Sequence, residues 1–299
     1  MARVESITEL ERVASRHWRG TEEDRLGDWL LRAADGFTGR ANSALPLGDP
    51  GIPLDDALAA IIRWYRARAL PPMIAVPLPL EGDGSCHRLD NHLSERSWPT
   101  RPGPALVMVA DLATVPLAAG LPAGTEFHVD AEPDDAWLAT YHYRGQDQQP
   151  PVTRTVLMSA PAQAFASIRN KSEVLAIGRL SIADGWAGIT AVEVSRARRG
   201  AGLGRALTSA ICAEAAARGA RQVFLQVEAG NVPARTLYER CGFRYSHRYH
   251  YRVAPVSPPE SDTPRAAMSE SFGGSRYVCH HGYPCVQGLV SFAKRAGKR

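Results

Sequence analysis

The chain has 299 residues, 44% of them apolar and 22% charged, with a formal net charge of +4. That length accommodates two ordinary domains, and a small, mostly arginine-borne positive excess fits an anionic ligand better than a dedicated nucleic-acid surface. No apolar run reaches membrane-spanning length, residues 1–11 are charged throughout, and five cysteines are too few and odd in number for a disulfide framework, so the expected compartment is the cytoplasm with reduced thiols.

In chain order, residues 6–17 place Ile7, Leu10, Val13 and Ala14 on one helical face. Trp29–Ala33 reads as a strand broken at Asp35-Gly36, with 38–47 returning beside it as a hairpin. Residues 54–68 space Leu58, Ile61, Ile62 and Tyr65 helically, with Asp55 and Asp56 in the first turn. Residues 73–76 and Ala105–Asp111 read as strands. The polar stretch between them holds Cys86, His87 and His92, whose spacing fits no zinc pattern. A Pro/Gly-punctuated segment, 117–124, marks a domain boundary.

Beyond it, 126–129 predicts a short strand, and 134–143 a helix carrying Trp137, Leu138, Tyr141 and His142. Residues 146–153, with paired prolines, read as a loop, and 173–182 with 186–194 as a hairpin. That hairpin leads into the most informative stretch, AVEVSRARRGAGLGRAL. A β-branched strand ends near Ser195, a turn with alternate glycines follows, and 205–217 has the alanine content and spacing of a helix. Strand, glycine turn and helix start together form an anion site, because a helix N-terminus presents unpaired N–H groups and glycine lets a phosphate approach the backbone. Spacing rules out two common nucleotide loops. Counting from Gly200, Arg205 stands where a dinucleotide fingerprint needs its third glycine, and no lysine is present for a Walker-type loop. What fits is R-x-x-G-x-G, from Arg199 through Gly202 to Gly204, which resembles the acetyl-CoA pyrophosphate loop of the GNAT acyltransferase superfamily.

Downstream, 222–227 alternates as a strand and Asn231 stands where a helix wants its cap, followed by Pro233 in the first turn. Ala234, Leu237, Tyr238 and Cys241 share a face, and Gly242 terminates the helix. This segment is similar to the GNAT pattern N-x-x-A-x-x-L-Y-x-x-x-G-F at every defined position. The resemblance implies an α/β protein with an α+β mixed sheet and a tandem GNAT arrangement. A degenerate N-terminal lobe would cover 1–120, its segment GFTGRANSALPLGDP resembling the first half of tandem-GNAT proteins, and a catalytic lobe would cover 125–254.

The same resemblance implies an N-acetyltransferase that uses acetyl-CoA and a small-molecule or peptide amine. It assigns the pantetheine arm to the backbone of Val192 and Val194 and to Asn231, and counts Ala234 among the cofactor-binding residues. The pyrophosphate falls to Arg199, Gly200, Ala201, Gly202, Leu203, Gly204 and Arg205, and protonation of the departing thiolate to Tyr238. No base precedes the turn except Glu193, which strand alternation sends to the face opposite Val192 and Val194; a water relay and His142 compete with it. The alternatives are a catalytically silent acyl-CoA sensor, favoured by the missing base, and a basic nucleic-acid-binding protein, favoured by the basic isoelectric point and the tail. Residues 255–299 are Pro/Ser-rich without periodicity and are expected to form a flexible tail. The tail's Cys279, His280, His281 and Cys285 supply no second knuckle, so no metal is expected there.

Overall fold

The computed structural model describes residues 6–81, 88–116, 120–142, 149–171 and 173–255. The expected tail beyond Pro255, with its Cys/His cluster, and Cys86 and His87 lie outside the described residues. The first helix, α1 (Ile7–His17), starts where the Ser6 hydroxyl accepts from the Glu9 N–H at 3.2 Å. The hairpin departs from the sequence reading. Trp29–Ala33 (β2) pairs instead with the preceding Glu22–Leu26 (β1), whose acidic sequence carries no apolar alternation to reveal it. Residues 38–47 return only as single bridges, Leu30 to Leu45 and Ala44 to Ile74, after a 3-10 turn at Arg40–Asn42. Asn42 explains the difference. Its side chain accepts from the N–H groups of Ala34 and Gly36 and donates to the carbonyls of Ala34, Phe37 and Thr38, fixing a compact turn where a strand was expected.

Next come α2 (Leu54–Arg66), β3 (Met73–Pro79), α3 (Arg88–Glu95) and β4 (Ala105–Asp111). They are followed by β5 (Glu126–Asp130), α4 (Asp135–Thr140), α5 (Thr153–Leu157), β6 (Ala162–Arg169), β7 (Val174–Ala183) and β8 (Trp186–Val194). The chain closes with α6 (Leu203–Ala217), β9 (Gln222–Glu228), α7 (Val232–Arg240) and β10 (Arg244–Val253). Helix α3 fills part of the stretch read as merely polar; it buries only Leu93, and its His92 bonds Asp55 at 2.9 Å. Helix α5 follows the paired prolines, and β6 is masked in the sequence by its alanines.

Eight strands form one mixed sheet in the order β3-β10-β4-β9-β8-β7-β6-β5. Every neighbouring pair is antiparallel except β8 with β9. Strands from both sides of residue 120 take part, since β4 lies between β9 and β10. The edge position of β3 tolerates Pro77 and Pro79, which have no N–H for a second neighbour. Alternation along β4 shows the two faces. Met108 and Ala110 pack with Leu207, Ile211 and Cys212 of α6, whereas Val107 and Val109 pack with Leu10, Val13 and Ala14 of α1.

A buried contact ties α1 to the last strand, with His247 Nε2 lying 2.7 Å from Glu11 Oε1 and the imidazole fully excluded from solvent. Glu11→Ala leaves that nitrogen buried without a partner, so unfolding in urea is expected to show a loss of about 1–3 kcal/mol. An unchanged midpoint and slope would mean that the contact contributes nothing.

Candidate active site

The site begins where the sheet opens. Strand β8 pairs with β9 only from Trp186–Gln222 to Ile189–Leu225; beyond that the two parallel strands separate. On its other side β8 carries a bulge, two residues (Ala191, Val192) facing Gly178 alone, with Ala191 at φ +53. The bulge resets the alternation. Ile189, Val192 and Val194 pack toward α6, while Ala191 faces the cluster of Trp18, Trp137 and Tyr141.

Glu193 takes the opposite face to Val192 and Val194, where its carboxylate accepts from the His142 N–H at 2.8 Å and lies 3.5 Å from His142 Nδ1. This bond also explains why the helix expected over 134–143 stops at Thr140. The His142 N–H turns to Glu193, and Tyr141 stays extended with its ring centroid 5.7 Å from that of Trp137.

Below the splay, the turn after β8 ends at Gly202, which caps α6 in the left-handed region at φ +80 with no side-chain capping bond. Among the described residues, the N–H groups of Gly202, Leu203, Gly204 and Arg205 have no intramolecular acceptor. Four donors at the start of a 15-residue helix, beside the side chains of Arg199 and Arg205, make a cradle for an anion. A Cβ on Gly204 would stand 2.9 Å from Leu237 Cδ1, so glycine lets α7 close the other wall. Asn231 Oδ1 accepts from Ala234 N–H at 3.2 Å as the α7 cap, and the residue lines the cleft.

The resulting cleft has a volume of about 930 Å³. It brings together Val192, Glu193, Val194, Arg199, Gly200, Gly202, Leu203, Gly204, Arg205, Asn231, Ala234 and Tyr238 from the sequence reading; Ala201, in the same turn, is not part of its lining. Tyr238 stands at the junction with a second pocket of about 250 Å³ on the far side of the splay. Its ring is buried beside Phe243, with centroids 6.0 Å apart, and burial followed by the neighbouring Cys241 raises the phenol well above its usual range. The phenol is therefore protonated at neutral pH.

The second pocket holds residues the sequence did not mark, namely Trp18, Thr38, Arg40, Thr190 and Gln226. They come from α1's end, the Asn42-pinned turn, β8 and β9, and only the tertiary fold assembles them. Behind them His17 bonds Ser181 Oγ through Nδ1 at 2.9 Å, and burial, then Arg179, lowers its pKa to about 4. Among the described residues no group of three metal-ligating side chains exists, and no helix is long and apolar enough to cross a membrane.

The family model for the "Probable histone acetyltransferase Rv0428c C-terminal" region matches residues 5–252. The chain is 31% identical over 271 residues to the "Probable histone acetyltransferase Rv0428c" of Mycobacterium tuberculosis, covering 87% of this chain and 78% of that one. It is 25% identical to the "Uncharacterized N-acetyltransferase YobR" of Bacillus subtilis, covering 84% of this chain and 99% of the relative. Among solved structures, a GCN5-related N-acetyltransferase from Kribbella flavida superposes with a TM-score of 0.61 at 18% identity, over 84% of this chain and 94% of that one.

Proposed function

Since the chain belongs to the Rv0428c C-terminal acetyltransferase family within the GNAT superfamily, and is thereby an acyltransferase, we propose that it moves an acetyl group from acetyl-CoA to a primary amine. The observation that carries this reading is the continuity of a helix-start anion cradle, a splayed pair of parallel strands and a protonated tyrosine along one cleft. The unpaired N–H groups of 202–205 hold the pyrophosphate with Arg199 and Arg205. The edges of Val192 and Val194, with Asn231 and Ala234, align the pantetheine arm. The segment over 1–120 acts as a degenerate lobe that binds no CoA of its own and walls the acceptor side through Trp18, Thr38 and Arg40. Buried free thiols at Cys212 and Cys241 suit a reducing cytoplasm.

Attack on a thioester needs a neutral amine, a polarised carbonyl and a proton for the leaving sulfur. Glu193 receives the amine's proton, held in place by the His142 N–H on the acceptor side of the splay. Tyr238, at the junction of the two pockets, supplies the proton to the thiolate. The test is release of free thiol from acetyl-CoA across a panel of amines, with calorimetry for acetyl-CoA. Glu193→Gln is expected to lower kcat about 10²-fold with acetyl-CoA affinity retained, the usual scale for a positioned base. Tight acetyl-CoA binding without turnover of any amine would make the protein a silent sensor. Unchanged kcat in Glu193→Gln would pass the proton to His142 or to water.

A further inference from the structure

The acceptor side carries positive charge that the acyl transfer itself does not use. Two guanidinium carbons lie over the indole of Trp18, that of Arg40 at 5.1 Å and that of Arg179 at 5.3 Å from the ring centroid. Arg179 is fully buried. It donates to the carbonyls of Leu157 at 2.6 Å and His17 at 3.0 Å, leaves Nη2 without any partner, and has no carboxylate within ion-pair distance among the described residues. Burial, and after it the charge of Arg40, pulls its pKa down to about 9, so the two cations destabilise each other.

Arg40 stands half-buried in front. It lines both the second pocket and an adjoining one of about 250 Å³ that continues to Tyr249 and Tyr251. Its guanidinium has neither hydrogen-bond nor ion-pair partner among the described residues. The turn that presents it is heavily fixed. Thr38 is held at φ +62, with its hydroxyl accepting from Trp18 Nε1 at 3.0 Å and from the Ala41 N–H at 3.3 Å, and Asn42 adds its five bonds. A non-glycine residue kept in the left-handed region costs about 1–3 kcal/mol and persists where the surroundings over-determine it.

We propose that Arg40 recognises a carboxylate, so that the acceptor is a zwitterion whose carboxylate forks onto Arg40 while its amine faces Glu193. This rests on the acyltransferase reading above. A guanidinium's parallel donors match a carboxylate in two hydrogen bonds, and one negative charge there relieves the repulsion between Arg40 and Arg179. Glu193 and Glu228 line the same groove. They favour the ammonium end of the acceptor and oppose a dianion such as a phosphate monoester.

The test pairs amines that differ in the carboxylate, 5-aminovalerate against pentylamine and lysine against cadaverine, with O-phosphoethanolamine as the phosphate arm. The carboxylate member of each pair is expected to have the lower KM. Arg40→Ala should raise that KM about tenfold to a hundredfold with little change in kcat and erase the preference, and Arg40→Lys should recover part of it. A second readout does not depend on turnover. In a titration of the protein followed by NMR, the Trp18 indole N–H resonance should move with 5-aminovalerate, not with pentylamine, and not in Arg40→Ala. Equal KM within the pairs, a preference for O-phosphoethanolamine, or an Arg40-independent response would overturn the proposal. Failure of the underlying reading is separate and would show as no acetyl-CoA binding and no thiol release with any amine.

Discussion

Gly202→Val should fold like the wild-type protein and lose acetyl-CoA binding by at least a hundredfold. Gly202 sits at φ +80, where a β-branched residue is strongly disfavoured, and its Cβ direction meets nothing within 4 Å because it opens onto the cleft. The valine therefore disturbs no packed neighbour, and the cost falls on the turn itself. The turn relaxes toward negative φ, which swings the N–H groups of 202–205 out of convergence, and the added methyls occupy the space a phosphate would enter. Hydrogen bonds to a charged acceptor contribute about 1.5–3 kcal/mol each, so losing two removes about 3–6 kcal/mol, or two to four decades of affinity. Calorimetry with acetyl-CoA decides the matter, with thermal melting as the control for folding. Undiminished affinity in a folded variant would move the anion site away from the start of α6.

Strand β8, the glycine turn and α6 were legible because local chemistry alone dictates them. The glycines of 200–204, the Asn231 cap and the Gly242 stop need no tertiary information to be read. Strand β4 was equally plain, since an apolar-rich run whose centre, Val107–Ala110, is buried leaves little choice. What stayed hidden depends on distant parts of the chain. Nothing in EEDRL announces β1, because its pairing partner and not its own alternation makes it a strand. The bulge at Ala191 is set by register against β7, and it determines which face Glu193 takes. Residues 38–47 return as single bridges and not as a strand because Asn42 satisfies the backbone of 34–38 through its side chain, a competition between local hydrogen bonding and strand pairing that composition does not resolve. The lining of the second pocket was invisible for the same reason. Trp18 and Thr38 meet only through the fold, and a lone Arg40 in sequence is merely one arginine among many.

Tyr238→Phe should separate binding from chemistry, with acetyl-CoA affinity close to wild type and kcat lower by about 10²-fold. The ring is packed among Leu237, Cys241 and Phe243, and phenylalanine keeps that packing while removing only the hydroxyl at the junction of the two pockets. Burial raises the phenol's pKa, so it stays protonated across the neutral range, and if it is the proposed acid, turnover should show no limb from its ionisation at neutral pH. A thiolate with a cysteine-like pKa of about 8.5 is a better leaving group than an alkoxide, which limits how much any acid can help. That limit supplies the sharper measurement. With acetyl thioesters of increasingly acidic thiols, the need for a proton falls, and the gap between wild type and Tyr238→Phe should narrow steadily. A constant gap across the series would assign the loss to altered packing in α7, and equal kcat values with chemistry rate-limiting would leave Tyr238 as a core residue and return the proton to solvent.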